Sequence, residues 1–237
     1  MSQPIYDSGA MDPSSPDLRD LNPASKEYLE AIYELEEEGQ RILQARIGER
    51  LHLAPATVSE GIKRLVADGY VVVGPDRVLA LTEEGRPVAE TLVRRHRLAE
   101  RMLTDILGIP WHMCHHLAED WEKVMTPEVE NAILDRIEGD PTCPHGNPIP
   151  GADSAIPWSD LKPVASMAPG DRGTLKRLLE DVELDGEVMR YLEDHKLMPG
   201  HELTLVEVGP DGTRTLEVAG DRVALGPHLA DNLWILS

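Results

Sequence analysis

The sequence predicts a mainly α-helical protein with β structure, in which a winged helix-turn-helix is followed by a helical segment and a small β-barrel. Apolar residues recur at helical spacing through residues 22–68 and again through 84–138. Two short runs with a strand pattern, 70–73 and 78–81, lie between these helical stretches. Beyond a stretch rich in Pro, Gly and Asp at 139–163, short alternating runs divided by Gly and Pro are typical of a small barrel.

The first helices form the helix-turn-helix pattern. Asn22 is a good helix cap, the proline after it suits the first helical position, and Gly39 ends the apolar periodicity. Shorter helices are expected at about 43–51 and 55–68, separated by a tight break. A turn at 74–77 joins the two strands. Helices and a hairpin within about 60 residues predict a winged helix-turn-helix.

The rest of the chain divides into helices, a linker and a barrel. A long helix is expected at 84–107, a second at about 111–125 and a third at about 127–138, with one helix near 185–195 in the barrel. The expected divisions are a disordered N-terminus at 1–20, which includes a possible cloning scar at 9–13, the winged helix-turn-helix at 21–83, a helical domain at 84–140, a Pro-rich linker at 141–163 and the barrel domain at 164–237.

Composition excludes some protein classes. No run of about 18 apolar residues exists, so no membrane-spanning helix is expected. Residues 1–20 have no signal-peptide pattern, and the only cysteines are Cys114 and Cys143. A disulfide framework is therefore not expected, and the reducing cytoplasm is the predicted location.

The charge is uneven along the chain. The net charge is −20, yet residues 40–97 contain ten Lys and Arg against seven Asp and Glu. A positive segment in an acidic chain indicates a contact surface for a polyanion, although uneven composition alone can produce the same pattern.

Histidines and carboxylates with metal-ligand chemistry line one face of the second core helix. His112, His115, Glu119 and Glu122 follow one another at i, i+3, i+7 and i+10. A period of 3.6 places them on one stripe, which is either a ligand set or an ordinary solvated face.

His96 is harder to explain as a surface residue. It lies within the apolar stripe of the preceding helix, with Glu100 four residues later, so we expect both to face inward. A buried group of carboxylates repels itself unless a cation joins it. Glu27 and Glu30, at i and i+3 on the first helix, belong to this group only if that helix packs against the stripe.

The third helix is the predicted DNA-recognition helix. Small and hydroxyl side chains in its first turns suit contacts with thymine methyl groups and phosphates, and its basic residues suit phosphate contacts. Helix capping for the hydroxyl residues and a solvated turn for the arginine of the wing are the simpler explanations. The predicted DNA-contacting residues are Ala56, Thr57, Ser59, Glu60, Lys63, Arg64 and Arg77.

Three segments together resemble a known family. Residues 28–38 (YLEAIYELEEE), 95–101 (RHRLAER) and 146–151 (GNPIPG) are similar to the diphtheria toxin repressor family of iron- and manganese-dependent transcriptional regulators. The resemblance extends from about residue 22 to the end. It implies a homodimer with a winged-helix DNA-binding domain, a helical metal-binding and dimerisation domain, and an SH3-like (FeoA-like) C-terminal barrel. It also implies that metal promotes binding to palindromic operators of metal-homeostasis genes, usually repressing metal uptake.

The resemblance implies two groups of metal ligands. Positions that match the primary or paired site of the family are Glu27, Glu30, His96, Glu119 and Glu122. Positions that match another site are His96, Glu100 and His115, completed from the barrel by Glu180 and Glu183.

Departures from the family pattern bear on the metal. Iron-type members carry methionine and cysteine where this chain has Glu27 and Glu119, whereas manganese-type members carry carboxylates. Oxygen ligands suit Mn²⁺, so the chain resembles the manganese-type branch; Mn²⁺ is favoured, Fe²⁺ is possible and other divalent ions can substitute in vitro. Lys123 stands where the family usually has histidine, and Glu60 where it has glutamine.

Two other functions compete with this one. A metal-dependent hydrolase would use the same histidines and carboxylates, but the chain has no HExxH motif, nucleophile motif or nucleotide loop. In a winged-helix regulator that responds to another ligand, the stripe of histidines and carboxylates would have only a structural role. We therefore expect no enzyme, and a homodimer whose partner is operator DNA, with no membrane partner and no small-molecule substrate.

Overall fold

The N-terminal unit is a three-helix bundle with a two-stranded wing. The computed structural model describes Pro16, Leu18, 21–152 and 156–237, so most of the expected disordered segment at 1–20, including the suggested cloning scar at 9–13, lies outside the described residues. The Asn22 side chain accepts a hydrogen bond from the backbone N–H of Ala24, which confirms the predicted helix start. The elements are α1 (Pro23–Glu37), α2 (Gln44–Arg50), α3 (Pro55–Ala67), β1 (Val71–Val73) and β2 (Leu79–Leu81).

The recognition helix α3 packs closely on α1 because Gly61 has no side chain. A Cβ atom at Gly61 would lie 2.5 Å from the ring of Tyr28. The Tyr28 hydroxyl donates to the backbone oxygen of Thr57 at 3.1 Å. The position of α3 is therefore tied to α1, the helix that carries Glu27 and Glu30.

The helical unit follows the wing and differs from the prediction in its second helix. Instead of one α-helix over 111–125, the structure has a short helix, α5 (Cys114–Trp121), with a 3-10 turn at each end. Its N-terminal turn is fixed by the barrel, because the backbone N–H groups of Trp111 and His112 both donate to the carboxylate of Glu193. The elements are α4 (Gly85–Arg101), a π-helical turn (Met102–Ile106), a 3-10 turn (Trp111–Met113), α5 (Cys114–Trp121), a 3-10 turn (Glu122–Val124) and α6 (Pro127–Leu134).

The C-terminal unit is a six-stranded antiparallel sheet with three short helices. Its elements are β3 (Lys162–Pro163), β4 (Arg172–Leu178), α7 (Glu180–Glu183), α8 (Gly186–Asp194), β5 (Glu202–Val208), β6 (Arg214–Val218), β7 (Asp221–Leu225), α9 (Pro227–Asn232) and β8 (Leu233–Leu236). The strands lie in the order β3-β8-β4-β5-β6-β7, and the aliphatic core receives Trp111 from the helical unit. The alternating runs at 174–178, 203–208, 215–218 and 222–225 predicted β4 to β7, and the helix near 185–195 predicted α8, whereas β3, β8, α7 and α9 were missed.

The linker runs along β4. Leu178 N–H donates to the backbone oxygen of His145 at 3.0 Å, and the Asn147 amide donates to Leu178 O at 3.0 Å. Gly146 has φ +92, and a Cβ atom there would lie 1.7 Å from the backbone oxygen of Lys176. This contact directs Cys143 and His145 into the protein interior, where both are buried.

Arg97 joins the three units. It is 1% exposed and donates to Glu37 of α1 at 2.8 Å, to Glu180 of α7 at 2.9 Å and to the backbone oxygen of Pro148 at 2.6 Å. Of the helices that the structure describes, none is long and apolar enough to cross a membrane.

Candidate metal centre and DNA-binding face

A cleft between α1, α4 and α5 contains the first predicted ligand group. We call it the carboxylate cleft; its volume is about 350 Å³. Helix α1 packs against α4, and its Glu27 and Glu30 share the cleft with Glu119 and Glu122 of the stripe. The predicted ligands that line the cleft are Glu27, Glu30, His96, Glu119 and Glu122.

The predicted ligands differ in burial between the inner and outer parts of the carboxylate cleft. His96 Nδ1 lies 2.6 Å from Glu122 Oε2. Glu30 is half-buried, and its Oε1 is buried with no hydrogen-bond partner among the described residues. Burial and the charge of Glu122 raise the pKa of Glu30 well above its usual value. Glu27 and Glu119 are exposed, so they lie at the mouth rather than against the inner three residues.

The second predicted ligand group lies directly behind His96. His115 Nδ1 is 3.1 Å from Glu100 Oε1 and 3.3 Å from Glu183 Oε2, while His96 Nε2 is 3.1 Å from His115 Nδ1. The structure therefore brings Glu100, His115 and Glu183 together. The fourth predicted residue, Glu180, also lies close to His115, but one of its oxygens accepts from Arg97.

The sequence interpretation missed the most buried histidine of this group. His145 is fully buried; its Nδ1 lies 2.7 Å from Glu183 Oε2 and 3.4 Å from Glu100 Oε1. Two thiols flank its ring: Cys114 Sγ is 3.7 Å from Nε2 and Cys143 Sγ is 4.0 Å from Nδ1. We call Glu100, Cys114, His115, Cys143, His145 and Glu183 the buried cluster.

A signal for these residues was present in the sequence. Cys143 and His145 are two residues apart in a Pro- and Gly-rich segment, a spacing that places two ligand types on one short loop. Cys114, on α5, is also completely buried. His112, which the stripe placed in a ligand set or on a solvated face, instead pairs through its ring with Glu193 of the barrel.

Charge in the buried cluster is balanced by protons on the histidines. Burial lowers the pKa of His115, but hydrogen bonds to Glu100 and Glu183 outweigh it and raise that pKa to about 9. Burial acts to raise the pKa of Glu100, but His145 and the neighbouring histidines hold it well below its usual value. A divalent cation entering the cluster must displace these protons, since metal ligands bind in their deprotonated or neutral form.

Six of the seven predicted DNA-contacting residues are exposed, five on α3 and one in the wing. Ser59 is half-buried on α3, and Arg77 is exposed in the wing at φ +60. Neighbouring Asp76, also at positive φ, forms an exposed ion pair at 3.2 Å with Arg41, which precedes α2. The exposed residues of α3 are Ala56, Thr57, Glu60, Lys63 and Arg64.

Family models match all three units. The model described as "Iron dependent repressor, N-terminal DNA binding domain" matches residues 20–79. "Iron dependent repressor, metal binding and dimerisation domain" matches residues 82–151, and "FeoA domain" matches residues 162–236.

Named relatives agree with these matches. The chain is 36% identical over 220 residues to the iron-dependent repressor IdeR of Mycobacterium tuberculosis, covering 89% of this chain and 95% of that protein. It is 37% identical over 226 residues to the diphtheria toxin repressor of Corynebacterium diphtheriae, covering 92% and 99%.

A solved structure titled "Manganese-dependent transcriptional repressor complex with manganese" has TM-score 0.77 and 29% identity, covering 90% of this chain and 99% of that one. The manganese regulator SloR has TM-score 0.71 and 27% identity, covering 91% and 99%. A DNA-binding domain, a metal-binding and dimerisation domain and an SH3-like FeoA domain thus follow one another in this chain. It belongs to the iron-dependent repressor family of metal-dependent transcriptional repressors, which are DNA-binding proteins rather than enzymes.

Proposed function

We propose that this chain is a homodimeric repressor whose affinity for palindromic operator DNA is raised by a divalent cation, with Mn²⁺ preferred over Fe²⁺ at the carboxylate cleft. The observation that carries the proposal is the position of His96. Its Nδ1 faces Glu122 in the cleft, and its Nε2 faces His115 in the buried cluster. One side chain therefore connects both candidate metal positions.

The ligand set of the cleft supports the preference for Mn²⁺. Glu27, Glu30, Glu119 and Glu122 offer carboxylate oxygens and His96 one imidazole, with no sulfur among them. Hard oxygen ligands suit Mn²⁺, and the lack of sulfur removes a preference for softer ions. When bound, the cation would supply positive charge that offsets carboxylate repulsion.

Helix α1 couples metal binding to DNA binding, because it carries two of the proposed ligands and contacts the recognition helix. Glu27 and Glu30 belong to α1, whereas His96, Glu119 and Glu122 belong to the helical unit. Ligands shared by two units favour one relative position of those units, and Tyr28 on α1 contacts the recognition helix. A tenfold gain in DNA affinity requires about 1.4 kcal/mol of coupling, which is within the usual range for linked sites.

Exposed apolar side chains support a second copy of the chain as partner. Among the described residues, seven of the twelve large apolar side chains that are exposed belong to the helical unit. Their concentration in the part of the chain that matches the dimerisation domain supports dimer formation there. They are Ile106, Leu107, Met113, Leu117, Trp121, Val124 and Val129. Because operator DNA is the proposed ligand, we place the dimer in the cytoplasm.

The test is operator binding measured by fluorescence anisotropy with Mn²⁺, anaerobic Fe²⁺ or EDTA. A double variant, Glu30→Gln with Glu122→Gln, removes two inner carboxylates at nearly constant volume. Glu128→Gln is the matched control, because Glu128 is exposed and lies outside the cleft.

We expect Mn²⁺ to tighten binding at least tenfold for the wild type and the control, but not for the double variant. Binding that is the same in Mn²⁺ and EDTA would mean that the regulator answers to another ligand. Hydrolysis of generic ester or phosphate substrates on metal addition, without DNA binding, would favour the hydrolase.

A further inference from the structure

The two nitrogens of His145 have different neighbours. Nδ1 lies 2.7 Å from Glu183 Oε2, whereas Nε2 faces Cys114 Sγ at 3.7 Å. Histidines that bind metals usually donate their other ring N–H to a carboxylate, which fixes the tautomer. With Nδ1 ion-paired to Glu183, Nε2 is the nitrogen that faces the Cys114 thiol, and loss of its proton would leave a lone pair directed at that sulfur.

Glu100 supplies an oxygen beside this pair. Glu100, Cys114 and His145 are each 0% exposed, and their ligand atoms lie within 4.8 Å of one another. The Glu100 Oε2 atom is buried without a hydrogen-bond partner among the described residues. A buried carboxylate oxygen without a partner is costly, and a cation would satisfy it.

We propose that Glu100, Cys114 and His145 form a thiolate-containing metal position in which Cys114 is the sulfur ligand and Nε2 of His145 the nitrogen ligand. The inference deepens the proposed metal-binding function and rests on it. The thiolate and the carboxylate together carry two negative charges, which a divalent cation neutralises in the protein interior. The displaced protons, one from the thiol and one from the imidazolium, leave to solvent.

The side of the His145 ring that faces Cys143 is less suitable for binding a metal. Cys143 Sγ lies 4.0 Å from Nδ1 of His145, the nitrogen that is already engaged by Glu183. A cation bound by Cys143 and Nδ1 would have to displace that ion pair. The Cys114 side leaves it intact, so Glu183 acts as the carboxylate that orients His145.

Sulfur changes which metal is preferred. A site with one thiolate, one imidazole and one carboxylate favours Zn²⁺, Co²⁺ or Fe²⁺ over Mn²⁺. The carboxylate cleft has no sulfur, so the two positions of one chain differ in metal preference. Cys114 is then the residue that determines the preference of the buried position.

A purely structural role is the competing explanation. The Cys114 thiol lies 3.1 Å from the backbone oxygen of Trp111 in its own helical turn, as helical cysteines commonly do. Buried cysteines also pack as small apolar side chains. A structural cysteine gives no sulfur–metal signal, and this separates the two explanations.

The experiment is a Co²⁺ titration of the full chain under anaerobic conditions, without DNA, followed by near-ultraviolet sulfur-to-cobalt charge-transfer absorption. The chain has two cysteines, so in the Cys143→Ser variant any such band arises from Cys114. This variant tests the proposal even if Cys114→Ser folds poorly. Thermal melts of the metal-free variants check their folding, and the double cysteine variant is the blank.

We expect a charge-transfer band of similar intensity in the wild type and in Cys143→Ser, and its loss in Cys114→Ser. We also expect Cys114→Ser to weaken Zn²⁺ binding at least tenfold while Mn²⁺ binding changes less than twofold. A band that persists in Cys114→Ser, or no band in Cys143→Ser, would overturn the assignment. Metal-dependent DNA binding is measured separately, so its loss with the band retained would count against the proposed function alone.

Discussion

Asp181 of the barrel forms an ion pair with Arg50 at the end of α2 in the helix-turn-helix. Arg50 is 5% exposed and also binds Glu34 on α1 at 3.2 Å and Glu38, the residue just after α1, at 2.8 Å. Asp181 lies on the same four-residue helix as Glu183 of the buried cluster. The barrel therefore contacts both the helix-turn-helix and the buried cluster through one short helix, α7.

The Asp181–Arg50 contact predicts a variant that separates metal binding from its effect on DNA. In Asp181→Asn, we expect Mn²⁺ binding measured by calorimetry to stay within twofold of wild type. Operator affinity of the metal-loaded protein should fall about three- to tenfold, since Asp181 is partly exposed and its ion pair is screened. Glu187→Gln, an exposed change in the same unit, should leave both values unchanged; an equal loss in that control would assign the effect to charge alone.

The recognition helix gives a prediction about salt dependence. Lys63 and Arg64 are exposed on α3. If they contact phosphates, Lys63→Ala or Arg64→Ala should weaken binding to all DNA sequences alike. Each should reduce the slope of log affinity against log salt by about one. Anisotropy titrations at several salt concentrations measure this, and an unchanged slope would remove that residue from the DNA contact.

The protonated histidines predict a pH dependence of the metal-free protein. The pKa of His115 is about 9 in the folded state, above the usual value of 6.5, because of hydrogen bonds to Glu100 and Glu183 that outweigh burial. A raised folded-state pKa stabilises the protein fully below pH 6.5, and this contribution is lost as pH rises through about 9.

Urea unfolding in EDTA should therefore show the free energy of unfolding falling by roughly 1 to 3 kcal/mol between pH 6.5 and 9. His115→Gln should flatten the curve over this interval. A curve of equal slope in that variant would assign the pH dependence to other groups. Metal affinity should rise over the same interval, as proton competition declines.

The accuracy of the sequence interpretation depended on how local each feature is. The helix start at Asn22 and the helices of the helix-turn-helix are set by nearby residues, and they could be predicted. The prediction of one ligand stripe on the second core helix was only partly right. Glu193, 81 residues away, fixes the turn that carries His112. Periodicity along one helix contains no information about such a contact.

Half of the buried cluster was missed because its residues are positioned by contacts that are distant in sequence. Glu100 and His115 lie on helices, so their faces could be inferred from spacing. His145 and Cys143 lie on a linker whose path is set by its contact with β4, where Gly146 passes over Lys176 O. Only the resemblance to a family suggested Glu180 and Glu183, which come from a helix too short to have a recognisable pattern.

The linker contact leads to a prediction in which no ligand is changed. Gly146→Ala places a Cβ where the backbone oxygen of Lys176 lies, so the linker must move away from β4 and take His145 with it. Gly170→Ala is the matched control, since Gly170 has nearly the same φ, +93 against +92, with nothing within 4 Å of the added atom. Both variants carry the same backbone strain, about 1 kcal/mol, but only Gly146→Ala disturbs the cluster. Zn²⁺ or Co²⁺ affinity should fall at least tenfold in Gly146→Ala and change little in Gly170→Ala, and similar losses in both would show that strain alone is responsible.

Metal preference at the carboxylate cleft can be shifted by two substitutions. Glu27 and Glu119 lie at its mouth, and both are exposed, so replacing them leaves the packing of the inner residues intact. Glu27→Met with Glu119→Cys exchanges two carboxylates for a thioether and a thiol, which favours softer ions over Mn²⁺. In anisotropy titrations, we expect the ratio of Fe²⁺ to Mn²⁺ concentrations needed for half-maximal operator binding to fall at least tenfold. Glu27→Gln with Glu119→Gln controls for lost charge and should weaken the response to both ions without changing their ratio. An unchanged ratio in the sulfur variant would mean that the cleft does not determine which metal activates DNA binding, and that the buried cluster does.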